Sequence, residues 1–326
     1  MTLTIINATQ VKELLPMSAC IQAMEEAMLM SSTGKTAIPP RSFHQVMGQN
    51  ATYGLMPGSS EKLSVYGTKL ISLHPDNPAR GLPLIQGFVA LFDTLTGTPV
   101  AILDGASMTA IRTAAVSGLA SKYLARAAAT TCGIMGTGVQ AETHIEAICC
   151  VRPIEQIVIW GRNQDKAQAL ADTLQPTCKA TITVTEDPRE AANCEIICTV
   201  TAAHTPILPG NWVKAGTHIN IVGAHTAQNR EVDSALMQKA IVYTDSLDAL
   251  FREGGDVLIP LAEGSMEKSQ IIGEIGQVIA GTIPARINGS QITVYKSHGM
   301  TAQDLWAADL ILRNAAAKNI GTKIEL

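Results

Sequence analysis

The sequence contains no apolar run long enough to cross a membrane. Its first residues also lack the basic segment, apolar core and small-residue cleavage site of a secretory signal. The seven cysteines include no CxxC pair, and an odd number of cysteines without a secretory signal is typical of a reducing compartment. These absences predict a cytoplasmic protein, without a membrane partner, whose cysteines act as small core residues.

Patterns for metal and nucleic-acid binding are missing as well. The seven histidines show neither HxxxH nor HExxH spacing, so the sequence predicts no metal site. Lysine and arginine are scattered, and the formal net charge of −4 gives no basic field that would attract nucleic acid. The 326 residues are 46% hydrophobic and 16% charged, which is enough material for two domains with substantial cores.

The most informative segment that is present is a glycine turn between an apolar strand and an amphipathic helix, in the run TCGIMGTGVQA at 131–141. Gly136 permits the tight turn, Gly138 lets a pyrophosphate approach the backbone, and Ala141 lets the helix pack close to the strand. Free N–H groups at the helix N-terminus would bind the phosphates. A second strand at 156–160 follows at the distance expected of a dinucleotide-binding βαβ unit.

The residues after that second strand bear on the choice of cofactor. A site that prefers NAD usually has an acid there for the ribose 2′-hydroxyl, whereas an arginine accommodates a 2′-phosphate. Here Arg162 follows the strand and the first acid is Asp165, which favours NADPH and leaves NADH as the second choice. The alternative is that Arg162 is a solvated surface charge. The predicted cofactor contacts are Gly136, Thr137, Gly138, Val139, Gln140, Arg162, Asn163, Thr199, Thr201, Val222, Ser297 and Gly299.

The spacing of strands and helices predicts an α/β protein with two domains. Between about residues 130 and 245, short β-branched runs alternate with helical periods, which predicts a Rossmann-type doubly wound parallel sheet. Before residue 130, consecutive extended segments are separated by turn signals, which indicates an antiparallel or mixed sheet in an α+β domain. The nucleotide domain is expected at 117–297, and the other domain at 1–116 with 298–326.

Three cations lie near breaks in the first domain: Arg41, Lys69 and Arg112. Arginine binds carboxylates through two parallel hydrogen bonds, while lysine supplies a point charge or a proton. Spacing alone does not show that these side chains converge, and surface charges are the alternative. Asp304 is interpreted as an acid that favours the first turn of a helix, with no catalytic role.

The chain resembles the ornithine cyclodeaminase/mu-crystallin family over nearly its full length. The resemblance is carried by PPR at 39–41, GTK at 67–69, LDGASMTAIRTAA at 103–115, GTGVQA at 136–141, INIVGA at 219–224, REVD at 230–233, GGDV at 254–257 and YKSHGM at 295–300. It implies a homodimer whose first domain forms the interface and binds the substrate. It also implies that Arg41, Lys69 and Arg112 surround the substrate carboxylate beside the nicotinamide.

One position distinguishes the branches of that family. Cyclodeaminases carry an acid in the loop after the strand at 219–222, where this chain has His225. Without that carboxylate, cyclisation of ornithine loses a group thought to position the substrate amine or the water. The chain therefore resembles the ketimine-reductase branch more closely.

The resemblance to that branch implies an enzyme that reduces a small cyclic imino acid with NAD(P)H. The substrate would be Δ1-pyrroline-2-carboxylate or Δ1-piperideine-2-carboxylate, and the product L-proline or L-pipecolate. Lys69 and His225 are the candidate catalytic residues. Lys69 would protonate the imine nitrogen directly or through a water, whereas His225 would assist or merely line the cleft. Ser297 would bind the nicotinamide carboxamide or else cap the following helix.

Three other functions stay open at this point. An alanine dehydrogenase of the same family would reduce the imine formed from pyruvate and ammonia. An ornithine cyclodeaminase would use tightly held NAD catalytically. A non-catalytic protein that binds NADPH or another ligand is the alternative of a different class, although the retained cations and the complete glycine turn argue against it.

Overall fold

The structure is a computed structural model that describes residues 2–325, and the chain divides into two compact units. One unit contains the chain up to Arg112 together with the chain from Met300 onward, and the other is Thr113–Gly299. The sequence placed the corresponding boundaries at 116/117 and 297/298. The assignment of substrate binding and dimerisation to the first unit remains a prediction.

Within residues 2–325, the bounds of the regular elements are as follows. The strands are β1 Thr2–Ile6, β2 Thr36–Ala37, β3 Ser42–Gln45, β4 Thr52–Ser60, β5 Val65–Leu73, β6 Ile85–Asp93, β7 Pro99–Asp104, β8 Thr131–Met135, β9 Gln156–Trp160, β10 Thr181–Thr185, β11 Ile196–Thr199, β12 His218–Ile221, β13 Ala240–Thr244, β14 Ile271–Glu274, β15 Ile292–Lys296 and β16 Thr322–Glu325. The α-helices are α1 Ala8–Leu14, α2 Met17–Ser32, α3 Gly105–Leu124, α4 Val139–Val151, α5 Gln164–Leu174, α6 Pro188–Ala192, α7 Ser234–Met237, α8 Leu247–Glu253, α9 Gly255–Ala262, α10 Ile275–Ile279 and α11 Thr301–Lys318. Short 3₁₀ helices lie at Asn77–Arg80 and Lys268–Gln270.

The first unit is built on a mixed sheet of strand order β16-β1-β7-β6-β5-β4-β2, with β3 also paired to β4. Strands β4 to β7 are antiparallel neighbours, whereas β1 and β7 are parallel. Helix α11 packs against α2 and against β4 and β5. Its first two turns, residues 301–308, are buried. The sheet face under α11 therefore forms the core of this unit, and polar groups there must find partners inside it.

The second unit contains a sheet of order β10-β9-β8-β11-β12-β15-β13-β14, in which every pairing is parallel. Ile196 and Ile197 are adjacent in β11 but belong to different buried apolar clusters. This separation follows from strand alternation when both faces of a sheet are covered. The predicted fold class, α/β with a Rossmann-type doubly wound sheet, is confirmed.

The order of the central strands locates the ligand cleft of the second unit. The chain moves outward from β8 through β9 to β10 on one side, and then returns to β11 on the other side of β8. Dinucleotides bind at such a reversal, at the carboxyl ends of the strands. The candidate cofactor cleft therefore lies at the carboxyl ends of β8, β9, β11, β12 and β15. No helix within residues 2–325 has the length and apolarity to span a bilayer.

Candidate active site

A buried group of two cations and one acid lies in the first unit, and we call it the cation cluster: Lys69, Arg112 and Asp304. Lys69 Nζ lies 2.8 Å from Asp304 Oδ2, and Arg112 Nε lies 2.9 Å from Asp304 Oδ1. Arg112 Nη1 also donates to Gln303 Oε1 over 2.7 Å. All three members of the cluster are at most 4% exposed. Buried charges are tolerated only when they are paired in this way.

Local structure explains how the cluster forms. Alternation along β5 turns Lys69 to the buried face together with Val65 and Gly67, because successive side chains of a strand point to opposite faces. Asp304 lies in the first turn of α11, whose partial positive charge stabilises a carboxylate. Since α11 packs against β5, the acid is brought directly to the lysine.

The surroundings of Lys69 make its proton easier to release than that of an ordinary lysine. The pKa of Lys69 is lowered from 10.5 to about 8, mainly by burial; Asp304 opposes this change, whereas the charges of Arg112 and Arg41 add to it. Lys69 is therefore mainly protonated at neutral pH, yet close to its titration point. Such a group is well suited to general acid catalysis.

Arg41 completes the group of cations named from the sequence. It lies just before β3, is partly exposed, and has its guanidinium carbon 5.5 Å from the centre of the Phe43 ring. Its charge acts on Lys69. The structure thus brings Arg41, Lys69 and Arg112 together within one unit, although their role toward a substrate remains a prediction.

The interpretation of Asp304 as an acid in the first turn of a helix is confirmed, and its lack of a catalytic role remains a prediction. The structure adds that its buried carboxylate pairs with Lys69 and Arg112, which the sequence did not predict. One signal in the sequence could have found it. Asp304 is the only charged residue in the run TAQDLWAA at 301–308, and a single acid within a buried apolar helix requires a cation.

The glycine turn of the second unit leaves the N-terminus of α4 open. Gly136 has φ 133°, and a Cβ there would lie 2.7 Å from the carbonyl oxygen of Val200. A Cβ on Gly138 would have no protein atom within 4 Å, so packing within residues 2–325 does not require this glycine. The open space beside Gly138, at the start of α4, fits a pyrophosphate.

The residues that follow Gly138 also fit a cofactor. Val139 begins α4 and is 61% exposed. Gln140 comes next, and no donor among the described residues reaches its buried Oε1. An orphaned buried acceptor is uncommon in proteins, and a ligand would satisfy it. The Thr137 side chain packs against Gly161, since a Cβ at Gly161 would lie 2.4 Å from Thr137 Cγ2.

Arg162 and Asn163 differ in their surroundings. Arg162 is exposed and takes part in none of the ion pairs found among residues 2–325. Asn163 caps α5, because its Oδ1 accepts from the Lys166 N–H over 2.8 Å. Helix capping alone therefore accounts for Asn163, whereas Arg162 is available to a ligand.

Thr199 and Thr201 are tied to an acid that sequence reasoning left without a role. Both hydroxyls donate to Glu231, over 2.8 Å from Thr199 and 2.7 Å from Thr201. The N–H groups of Thr201 and Gly223 donate to the same carboxylate. Burial raises the pKa of Glu231, and the hydrogen bonds from the threonines oppose this. Because the hydroxyl hydrogens of Thr199 and Thr201 are already used, a cofactor would contact these residues through other atoms. Val222 directly follows β12, and its N–H donates to the carbonyl oxygen of Thr199 over 3.0 Å.

A second buried acid fixes the segment after β15. Asp245 Oδ2 accepts from the N–H groups of His298 and Gly299, over 3.0 and 2.7 Å. Burial raises the pKa of Asp245, but the hydrogen bond and charge of His298 outweigh it and lower the pKa to about 2. Gly299 has φ 74°, a conformation that favours glycine. Ser297 is buried within this fixed segment.

His225 lies in the loop after β12, in the second unit, and is exposed. Its Nδ1 is 3.1 Å from the carbonyl oxygen of Gly223. The catalytic role suggested for His225 remains a prediction. Within residues 2–325 no group of three or more His, Cys, Asp or Glu side chains is arranged to hold a metal ion.

Comparison with known proteins adds to this geometry. A family model described as the ornithine cyclodeaminase/mu-crystallin family matches residues 2–319. A Δ1-pyrroline-2-carboxylate reductase of Bacillus cereus is 35% identical over 98% of this chain and 99% of its own.

Solved structures agree over the full length. Thermococcus litoralis Δ1-pyrroline-2-carboxylate reductase, in complex with NADH and L-proline, superposes with a TM-score of 0.95 and is 34% identical, covering 98% of this chain and all of that one. An archaeal alanine dehydrogenase, a dimer with bound NAD, gives a TM-score of 0.94 at 29% identity and covers both chains completely. These relatives are all oxidoreductases.

Proposed function

Because this chain belongs to the ornithine cyclodeaminase/mu-crystallin family, we propose that it reduces the C=N bond of Δ1-pyrroline-2-carboxylate or Δ1-piperideine-2-carboxylate to give L-proline or L-pipecolate. The family expected from the motifs is confirmed, and so is the expectation of an oxidoreductase that uses a nicotinamide cofactor. The observation that supports this substrate class is the cation cluster, where an arginine, a residue type suited to carboxylates, is fixed beside a lysine with a lowered pKa.

The proposed chemistry needs an anchored acid group and a protonated imine. Arg41 and Arg112 bind the substrate carboxylate, and this fixes the ring and removes much of the entropic barrier to reaction. Lys69 donates a proton to the imine nitrogen, because an iminium accepts hydride far more readily than an imine. A reduced nicotinamide, when bound, would supply the hydride that the imine carbon accepts. The C=N π electrons become the nitrogen lone pair, and Lys69 then recovers a proton from solvent.

An assay with four substrate conditions tests this function. Oxidation of NADPH or NADH by either cyclic imine supports it, and the relative rates give the preferred ring size. Oxidation that requires pyruvate and ammonia would instead identify an alanine dehydrogenase. Release of ammonia from ornithine without net change in the cofactor would identify a cyclodeaminase. Cofactor binding without turnover of any substrate would leave a ligand-binding protein and refute the enzymatic proposal.

NADPH is the proposed preferred cofactor, and Arg162 is the residue proposed to select it. Replacing Arg162 with Ala is expected to lower the NADPH/NADH ratio of kcat/KM about tenfold, because a charge-assisted hydrogen bond to the 2′-phosphate is lost. Arg189→Ala is the matched control, since Arg189 is an exposed arginine of the same unit that lies over Trp212. An unchanged ratio in Arg162→Ala would show that this arginine does not select the cofactor.

A homodimer is proposed from the outer face of the first unit's sheet. Leu55, Leu70 and Phe88 lie side by side across β4, β5 and β6, and Leu55 and Phe88 are each more than a third exposed. Monomers rarely leave such an apolar patch in water. We expect light scattering to give twice the monomer mass, and Leu55→Asp with Phe88→Asp to give the monomer. Leu95→Asp, at a turn position that is 93% exposed, is the control. A monomeric parent protein would contradict the proposal.

A further inference from the structure

Each carboxylate oxygen of Asp304 contacts a different cation. Oδ2 contacts Lys69 Nζ, and Oδ1 accepts from Arg112 Nε. The carboxylate is fully buried, so solvent does not weaken either interaction. If the acid were absent, two buried positive charges would stand next to each other, and among the described residues only the neutral Gln303 would remain as a hydrogen-bond partner, that of Arg112.

We propose that Asp304 is a positioning residue: it keeps Lys69 protonated and holds the Lys69 ammonium and the Arg112 guanidinium in fixed places for one substrate. This inference rests on the proposed function, in which Lys69 protonates the imine and Arg112 binds the carboxylate.

The hydrogen bonds of Arg112 agree with this role. Its bonds to the described residues use Nε toward Asp304 and Nη1 toward Gln303. Nη2 is therefore left for a ligand, with the guanidinium plane already set by two bonds. Preorganisation of this kind reduces the cost of ordering the side chain when substrate binds.

The charged groups that face Lys69 come from two helices and from the segment before β3. Asp304 of α11 favours the protonated lysine, whereas Arg112 of α3 and Arg41 before β3 disfavour it. Burial disfavours it most, and the net effect sets the pKa of Lys69 at about 8. Removing the charge of Asp304 leaves only influences that lower the pKa. The fraction of protonated Lys69 at pH 8 should then fall steeply.

The test is the pH dependence of kcat/KM for the full chain, the Asp304→Asn variant and the Asp304→Glu variant, with the cyclic imine that the parent protein reduces. Protonated Lys69 is the active form, so activity should fall as pH rises through its pKa. We expect this basic limb to move to lower pH by about one to three units in Asp304→Asn. Asp309→Asn, which removes an acid of the same helix paired with Arg313, should leave the limb in place.

The substrate imine titrates as well, but its pKa is the same for every variant, so a shift between variants reports on the protein. Asp304→Asn that folds, binds NADPH and keeps the parent's basic limb would overturn the inference. If Asp304→Asn does not fold, the pH profile of Asp304→Glu tests the inference instead. The longer side chain of Glu displaces the carboxylate from Lys69 and Arg112, so a basic limb moved to lower pH and a raised KM are expected, and an unmoved limb with an unchanged KM would overturn the inference. Failure of the parent protein to reduce any cyclic imine would instead refute the proposed function.

Discussion

Replacing Lys69 with Met is expected to lower kcat/KM by about a thousandfold, because general acid catalysis by a placed side chain contributes about 10²–10⁴. Methionine fills a similar volume, and Asp304 keeps Arg112 as its partner, so the fold should survive. The affinity for NADPH should hardly change, since Lys69 belongs to the first unit and the glycine turn to the second. Steady-state kinetics and titration of cofactor fluorescence measure the two quantities separately.

The matched control for this variant is Lys62→Met. Lys62 lies in the same unit, is about half exposed and pairs with Glu26 at the surface, where an ion pair contributes little. Its loss should leave kcat/KM within about a factor of two. Comparable activity in Lys69→Met and the parent protein would remove Lys69 from the mechanism and leave solvent as the source of the proton.

The nucleotide-binding unit was the part of the fold that the sequence predicted best, because its signals are local. A glycine turn between a strand and a helix, followed by β-branched runs at regular spacing, is enough to predict the parallel sheet. The turn at Gly136 and the start of α4 follow from it. Strand β14 was not predicted, since Ile271–Glu274 is short and two of its four residues are Gly and Glu, which are poor strand formers.

The candidate site was harder to predict because its central contacts join distant parts of the chain. Lys69 and Asp304 are 235 positions apart, and no periodicity within either segment links them. The three cations were named from the sequence and family resemblance implied that they converge, whereas the acid that joins two of them emerged from the packing of α11 on β5. The same holds for Glu231, whose bonds to Thr199 and Thr201 depend on strands that meet only in the folded sheet.

Replacing Arg112 with Ala is expected to raise KM for the imino acid by about a hundredfold, with a smaller fall in kcat. The pair that is lost is the one between Arg112 and the substrate carboxylate. Truncating one partner of such a buried charge pair costs about 2–5 kcal/mol of binding free energy, and each 1.4 kcal/mol is a factor of ten in affinity. Asp304 would retain Lys69 as its counter-ion, so the buried carboxylate is not left alone. Initial rates over a wide range of substrate concentration separate the two parameters.

The control for Arg112→Ala is Arg313→Ala on α11, because Arg313 is exposed and pairs with Asp309 outside the cation cluster. Loss of an exposed pair should change neither parameter appreciably. Two roles of Arg112 are distinguished by whether its loss changes KM or kcat. An arginine that only binds the carboxylate acts equally on the ground state and the transition state, and its loss then raises KM alone. A fall in kcat with unchanged KM would mean that Arg112 acts in the transition state, and that Arg41 by itself binds the substrate carboxylate.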